Sequence, residues 1–178
     1  MKKTLIIPAL LLAMTACSEG TRVNPFLQDW DTPYGIPPFD KIEYSDYIPA
    51  IKAGIEQEDA EIQAIIDNQE APTFDNVIAA MENAGSILAK VGGVLYNVAE
   101  TENCPELEAI IEEATPLESE HSDNIYMNKA LYEKVAAVYN ADQSGLTREQ
   151  QMVLKKKYEA FERNGIGLPE DKQARLRE

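Results

Sequence analysis

The sequence predicts an all-α protein built of antiparallel helical hairpins, with an extended strap at its N-terminus. Three observations lead there. Apolar residues recur in steps of three and four through most of the chain after residue 45, the period of one helix face. Helix-start signals precede those runs, at Thr73, Pro105 and Thr147-Arg148-Glu149-Gln150. No stretch alternates apolar and polar residues as a half-buried strand does. The 178 residues suit one domain with a core of its own. Charged residues are 26% of the chain and apolar ones 44%, which is ordinary globular usage rather than disorder.

The first element is an address. Met1-Lys2-Lys3 is a basic head, Thr4 to Ala13 an apolar run, and Met14-Thr15-Ala16-Cys17 a small-residue close. That is the layout of a secretory signal, and the run is too short for a membrane-spanning helix, which takes about 20 apolar residues. Residues 1–16 are read as the signal. Cys17 after Thr-Ala resembles a bacterial lipobox cysteine, with Met14 where leucine is usual, and Ser18 fits the pattern that goes on to the outer membrane. The expectation is an exported lipoprotein anchored through Cys17 and facing the periplasm. The alternative is a secreted protein cut nearby, with Cys17 incidental. Cys104 then has no partner and is expected as a buried or half-buried thiol.

Residues 17–23 read as a tether, and 24–178 as one helical region. Pro25, Pro33, Pro37 and Pro38 with Gly35 disfavour regular structure in 24–43. Phe26, Trp30, Tyr34, Ile36, Phe39 and Ile42 are too many large apolar groups for a linker, so this strap is expected to pack across the helices. Ile48, Ile51, Ile55, Ile62, Ile65 and Ile66 share one face of a first helix over 45–68, with Ser45 as its cap. Thr73 caps a second, whose stripe runs unbroken from Phe74 to Val98, with Gly85, Gly92 and Gly93 expected at close helix contacts. Pro105 opens a third on Leu107, Ile110, Ile111, Ala114, Leu117, His121 and Ile125, which Pro116 should kink. A fourth spans 128–141, and a fifth runs from Thr147 until Gly165 and Gly167 stop it. Leu168-Pro169-Glu170-Asp171 starts one more. It has a start signal without a stop, which suggests a chain cut within an element.

Charge and composition exclude several functions. With 31 acidic against 16 basic residues, the net charge of −15 repels a phosphate backbone, so nucleic acid is not an expected partner. One histidine and two cysteines leave no common zinc motif and no disulfide scaffold. His121, flanked by Glu118, Glu120 and Asp123, reads either as a general base or, preferred here, as a buried histidine bonded to a neighbouring helix. Asn140 to Gln151 has the spacing of a calcium loop but lacks the acidic first and twelfth ligands, so it reads as a helix–helix turn. Glu106, Glu108, Glu112, Glu113, Glu118 and Glu120 read as a solvated helix face, and so do Lys155-Lys156-Lys157. No phosphate loop or nucleophile elbow occurs. The residues by themselves indicate no catalytic and no metal site.

Several segments nonetheless resemble a known family. They are Asn24-Pro25-Phe26, Trp30-Asp31-Thr32-Pro33-Tyr34-Gly35, Pro37-Pro38-Phe39-Asp40-Lys41-Ile42, Ala71-Pro72-Thr73-Phe74-Asp75-Asn76, His121-Ser122-Asp123-Asn124-Ile125-Tyr126, and Tyr158-Glu159-Ala160-Phe161-Glu162-Arg163-Asn164-Gly165. In this order they resemble the N-terminal portion of the thimet-oligopeptidase-like zinc metallopeptidases, in particular the bacterial peptidyl-dipeptidases, over residues 24–178. The resemblance implies a two-lobed helical enzyme that releases C-terminal dipeptides from short peptides. Its zinc sits on a His-Glu-x-x-His helix and activates water, with the motif glutamate as base. This chain departs from that pattern: Leu117 and Ile125 stand four residues either side of His121, so no motif histidine carries over. The expectation is therefore a channel-wall piece without the zinc site, non-catalytic alone. The competing expectation is a free-standing helical lipoprotein that binds peptides or a partner protein.

Overall fold

In the computed structural model the described residues are 22–102 and 104–176; the signal at 1–16 and Cys17 lie outside them. Three 3-10 turns punctuate the strap, at Pro25–Leu27, Pro33–Gly35 and Tyr44–Asp46. Seven α-helices follow, α1 Tyr47–Asp67, α2 Ala80–Asn83, α3 Ser86–Thr101, α4 Pro105–Tyr126, α5 Lys129–Tyr139, α6 Arg148–Arg163 and α7 Glu170–Leu176. A π-helical turn, Phe74–Ala79, leads into α2. Among the described residues there is no strand, so the all-α reading holds.

Most helix ends obey their local chemistry. The Thr73, Asn128 and Thr147 side chains accept backbone N–H bonds from Asn76, Leu131 and Gln150, and Pro105 occupies the first turn of α4. Gly165, at φ 80°, follows the end of α6. Ser45 is not the cap of α1. The chain enters α1 through a 3-10 turn instead, in which the Asp46 carboxylate accepts from the Glu43 N–H at 2.7 Å.

The stripe expected as one helix from Phe74 to Val98 breaks at Ala84–Gly85. Ala84 is extended at ψ 159° and Gly85 is left-handed at φ 73°. Side chains of α1 hold the break open: the Gly85 N–H donates to Glu61 Oε2 at 2.9 Å, and the Ile87 N–H to Gln57 Oε1 at 3.3 Å. Conversely, α4 runs through Pro116 as one element. Of the glycines expected at close helix contacts, Gly85 is at one, against Glu58 of α1, whereas a Cβ at Gly92 would come no nearer than 3.8 Å and at Gly93 would meet nothing within 4 Å. Gly54, where a Cβ would sit 2.9 Å from Leu88 Cγ, is a second close contact.

Two apolar clusters form the core, and α1 serves both. At its N-terminal end Tyr47, Ala50 and Ile51 pack with Phe26, Val91, Leu95, Leu107 and Ala114. At its C-terminal end Ile62 and Ile65 join Ile78, Met81, Leu131, Val135, Leu154 and Phe161. The strap is only half inside. Phe26 is fully buried against Tyr47, at a ring separation of 5.2 Å, and Trp30 and Ile42 pack on the first cluster. Tyr34, Ile36 and Phe39 are instead exposed.

Gly85→Ala and Gly93→Ala should therefore move stability in opposite directions. A Cβ on Gly85 would lie 2.5 Å from Glu58 Oε2 in a left-handed backbone, so urea melts should show a loss of at least about 1–2 kcal/mol. At Gly93, inside a helix with open space beside it, a gain of about 0.5–1 kcal/mol is expected.

Candidate functional site

Two places gather polar or reactive groups. The first is the middle of α1, where Gln57, Glu58 and Glu61 occupy one helix face, in steps of one and three. Glu58 Oε2 lies 3.0 Å from His121 Nε2 of α4, and Asp59 Oδ1 lies 3.2 Å from His121 Nδ1. The second distance has ion-pair length but not hydrogen-bond alignment, so Nδ1 has no hydrogen-bond partner. His121 is 6% exposed. The structure thus bears out the preferred reading, a buried histidine bonded to a neighbouring helix, which is α1. Glu118 accepts a hydrogen bond from Tyr96, and burial together with that carboxylate pushes the Tyr96 phenol up to about 12. A cavity of about 170 Å³ beside His121 is lined by Glu58, Met81, Tyr126 and Lys157.

Lys157 is not part of a merely solvated face. Its ammonium lies 2.9 Å from Glu82 of α2. Burial pulls its pKa down, but the Glu82 and Tyr126 partners outweigh burial and hold it above lysine's ordinary value. Lys155 does behave as expected, pairing with Glu159 one turn on at 3.6 Å. Of the 140–151 segment, residues 140–147 form the turn between α5 and α6 and the rest open α6, with the Asp142 carboxylate accepting from the Ser144 N–H at 2.9 Å. Cys104 is a half-buried free thiol, its sulfur 3.6 Å from the Tyr44 hydroxyl.

The second place is a groove of about 620 Å³ between the strap and α3. Ala89, Gly93, Asn97 and Thr101, four residues apart, form its floor, and Trp30, Pro37 and Phe39 form one wall. The floor's polar side chains fold back on their own helix. Asn97 donates to the Gly93 carbonyl at 2.6 Å, and Thr101 to that of Val98 at 2.9 Å. Lys90, at one end, donates to the Gln28 carbonyl at 3.1 Å and stands 5.6 Å from the centre of the Trp30 ring. Glu102, at the other end, accepts from Tyr44 at 3.2 Å. What remains open in the middle is apolar. Sequence reasoning missed this groove, although the small residues at 89, 93, 97 and 101 were its visible signal.

A clasp fixes the strap beside this groove. Arg22 grips the buried Asp46 carboxylate with two bonds of 2.6 and 2.7 Å, and Asn24 donates to the Asp46 carbonyl at 2.8 Å. The Arg22 guanidinium holds Asp46 below the usual carboxylate range against the opposing pull of burial, and the Glu43 N–H adds to it. Further along, the Gly35 N–H closes a turn onto the Thr32 carbonyl at 3.1 Å. Tyr34 sits third in that turn at φ 61°, fully exposed, in a backbone region that costs a non-glycine residue about 1 kcal/mol.

Among families of known proteins, the one described as "Neurolysin/Thimet oligopeptidase, N-terminal domain" matches residues 51–173. The chain belongs to this family. Dipeptidyl carboxypeptidase of Salmonella typhimurium is 33% identical over 155 residues, which are 86% of this chain and 23% of that protein. The Escherichia coli protein of the same name is also 33% identical, over 158 residues, 88% of this chain and again 23% of the relative. Oligopeptidase A of Escherichia coli is 26% identical over 156 residues, 87% of this chain and 22% of the relative. The chain therefore spans less than a quarter of the length of these curated relatives. The zinc that the family resemblance implies does not fit the residues here. A two-histidine motif needs more than the single histidine present, that histidine already faces two carboxylates, and among the described residues no group of three metal-ligating side chains forms.

Two outcomes follow for the neurolysin/thimet oligopeptidase fold. His121→Ala should cost about 1–3 kcal/mol in a denaturant melt, because it removes the partner of the part-buried Glu58. The Asp46 contribution should be complete above the unfolded aspartate value near pH 4 and be lost as pH falls through the lower folded value. Asp46→Asn should accordingly flatten the acid limb of a stability-versus-pH curve.

Proposed function

We propose that this chain is the N-terminal helical wall of a zinc metallopeptidase that cleaves short peptides and releases C-terminal dipeptides from them. The family match over residues 51–173 carries this reading. The names of the two relatives at 33% identity, dipeptidyl carboxypeptidases, point to the dipeptide-releasing branch over that of the oligopeptidase A relative at 26%. The chemistry would belong to polypeptide outside this stretch, since a single histidine cannot supply a His-Glu-x-x-His site. These residues would contribute shape: helices locked to one another that bound a channel and keep folded substrates out. The proposal includes export and a lipid anchor at Cys17, placing the protein at the outer membrane facing the periplasm; it rests on the leader pattern in residues 1–17.

The purified chain, supplied with zinc, should hydrolyse short peptides no faster than a buffer blank in a chromatographic assay. Zinc-dependent turnover would sink the proposal. Reading the gene past codon 178 supplies a second check: a frame that continues to His-Glu-x-x-His codons supports the wall role, and a genuine stop with a stable product of this size favours a free-standing binding lipoprotein.

A further inference from the structure

Six of the nine large apolar side chains left exposed among the described residues fall between Val23 and Tyr44. Three of them, Tyr34, Ile36 and Phe39, are 100%, 52% and 56% exposed and lie on the loop that walls the groove over α3. Of the three, Phe39 lines the apolar groove itself, with Pro37 beside it, and Tyr34 and Ile36 lie within five residues of it in the same loop. Apolar exposure concentrated beside an apolar groove marks an interaction surface rather than the scattered apolar exposure of any surface. Tyr34 adds a second sign, since its left-handed backbone is maintained at a residue whose ring touches nothing in this chain.

We propose that this strap-and-α3 face is the docking surface for the remainder of the peptidase polypeptide, with Phe39, Ile36 and Tyr34 as its anchors. The inference rests on the wall reading given above. The relatives carry more than three quarters of their length beyond the part this chain matches, which supplies a covering partner of sufficient size. The groove states that partner's chemistry. Its floor groups are bonded to their own helix, and Lys90 and Glu102 at its two ends already have partners, so the centre accepts an apolar ridge and offers little to a charged one. A second copy of the chain is a poorer occupant, because two chains of net charge −15 repel on approach.

The test uses the full chain alone and a chimera in which it replaces the matched 155-residue stretch of the Salmonella dipeptidyl carboxypeptidase. Ile36→Asp with Phe39→Asp should leave the melt of the isolated chain unchanged, since both side chains are exposed there, and should lower the Tm of the chimera by about 3 °C or more. Met152→Asp, at an exposed apolar residue near the start of α6, should change neither. A chimera melt indifferent to the double substitution overturns the docking surface while leaving the wall reading in place. A raised KM for short peptides at unchanged Tm gives the groove to the substrate, and an isolated-chain dimer that the double substitution dissociates gives it to a second copy; either overturns the proposal. A chimera with neither hydrolysis nor a cooperative melt overturns the wall reading, and the docking with it.

Discussion

The polar face of α1 is the constraint on which the other elements depend. A helix that serves two apolar clusters needs something between them to set the register of what packs on it, because apolar contact is non-directional. Gln57, Glu58 and Glu61 supply that direction. Gln57 receives the Ile87 N–H in the first turn of α3, Glu58 meets the imidazole of α4, and Glu61 receives the Gly85 N–H at the break between α2 and α3. Sliding α4 along α1 by one turn, 5.4 Å, would put an apolar residue against Glu58 and leave a partly buried carboxylate unpaired. Such a penalty specifies one arrangement more than it adds net stability.

The strap depends on the same helix at its other end. Phe26 fills the first cluster and Arg22 grips Asp46 just ahead of α1, so the strap's first residues are tied to the helix that orders everything else. Because both ties lie before residue 47, the loop carrying Tyr34, Ile36 and Phe39 is held at its base while its tip faces solvent. The groove follows from this arrangement, as the space left between a fixed strap and the small residues of α3.

Most of the fold was legible in the sequence because its signals are local. Caps at Thr73 and Thr147 and the proline at 105 act within one turn of themselves, and the apolar stripe of α4 predicted a buried His121 correctly. What misled was anything decided by a residue far along the chain. Phe74 to Val98 carries a good helix period, yet the break at Gly85 is set by Glu61 and Gln57, more than twenty residues earlier. For His121 the preferred reading, a buried histidine bonded to a neighbouring helix, holds, but the sequence could not say that the helix is α1 and the partner Glu58. Lys157 looked solvated until α2 placed Glu82 beside it. On α1 itself nothing in the sequence marks Glu58 and Glu61, because composition cannot distinguish a wet face from one that another helix covers.

The same distinction bears on function. A catalytic site concentrates groups whose pairing is incomplete and whose protonation is poised for a substrate. Here the notable polar groups are turned inward and spent on each other: His121 on Glu58, Lys157 on Glu82, Arg22 on Asp46, Lys90 on the strap carbonyl. What is left outward is apolar surface on the strap and an acidic helix face. Among the described residues, ion pairs that hold helices and strap in register suit a part whose contribution is a fixed shape. In an enzyme that selects substrates by the width of a channel, the rigidity of the wall is itself a determinant of specificity, since a wall that yields would admit larger chains.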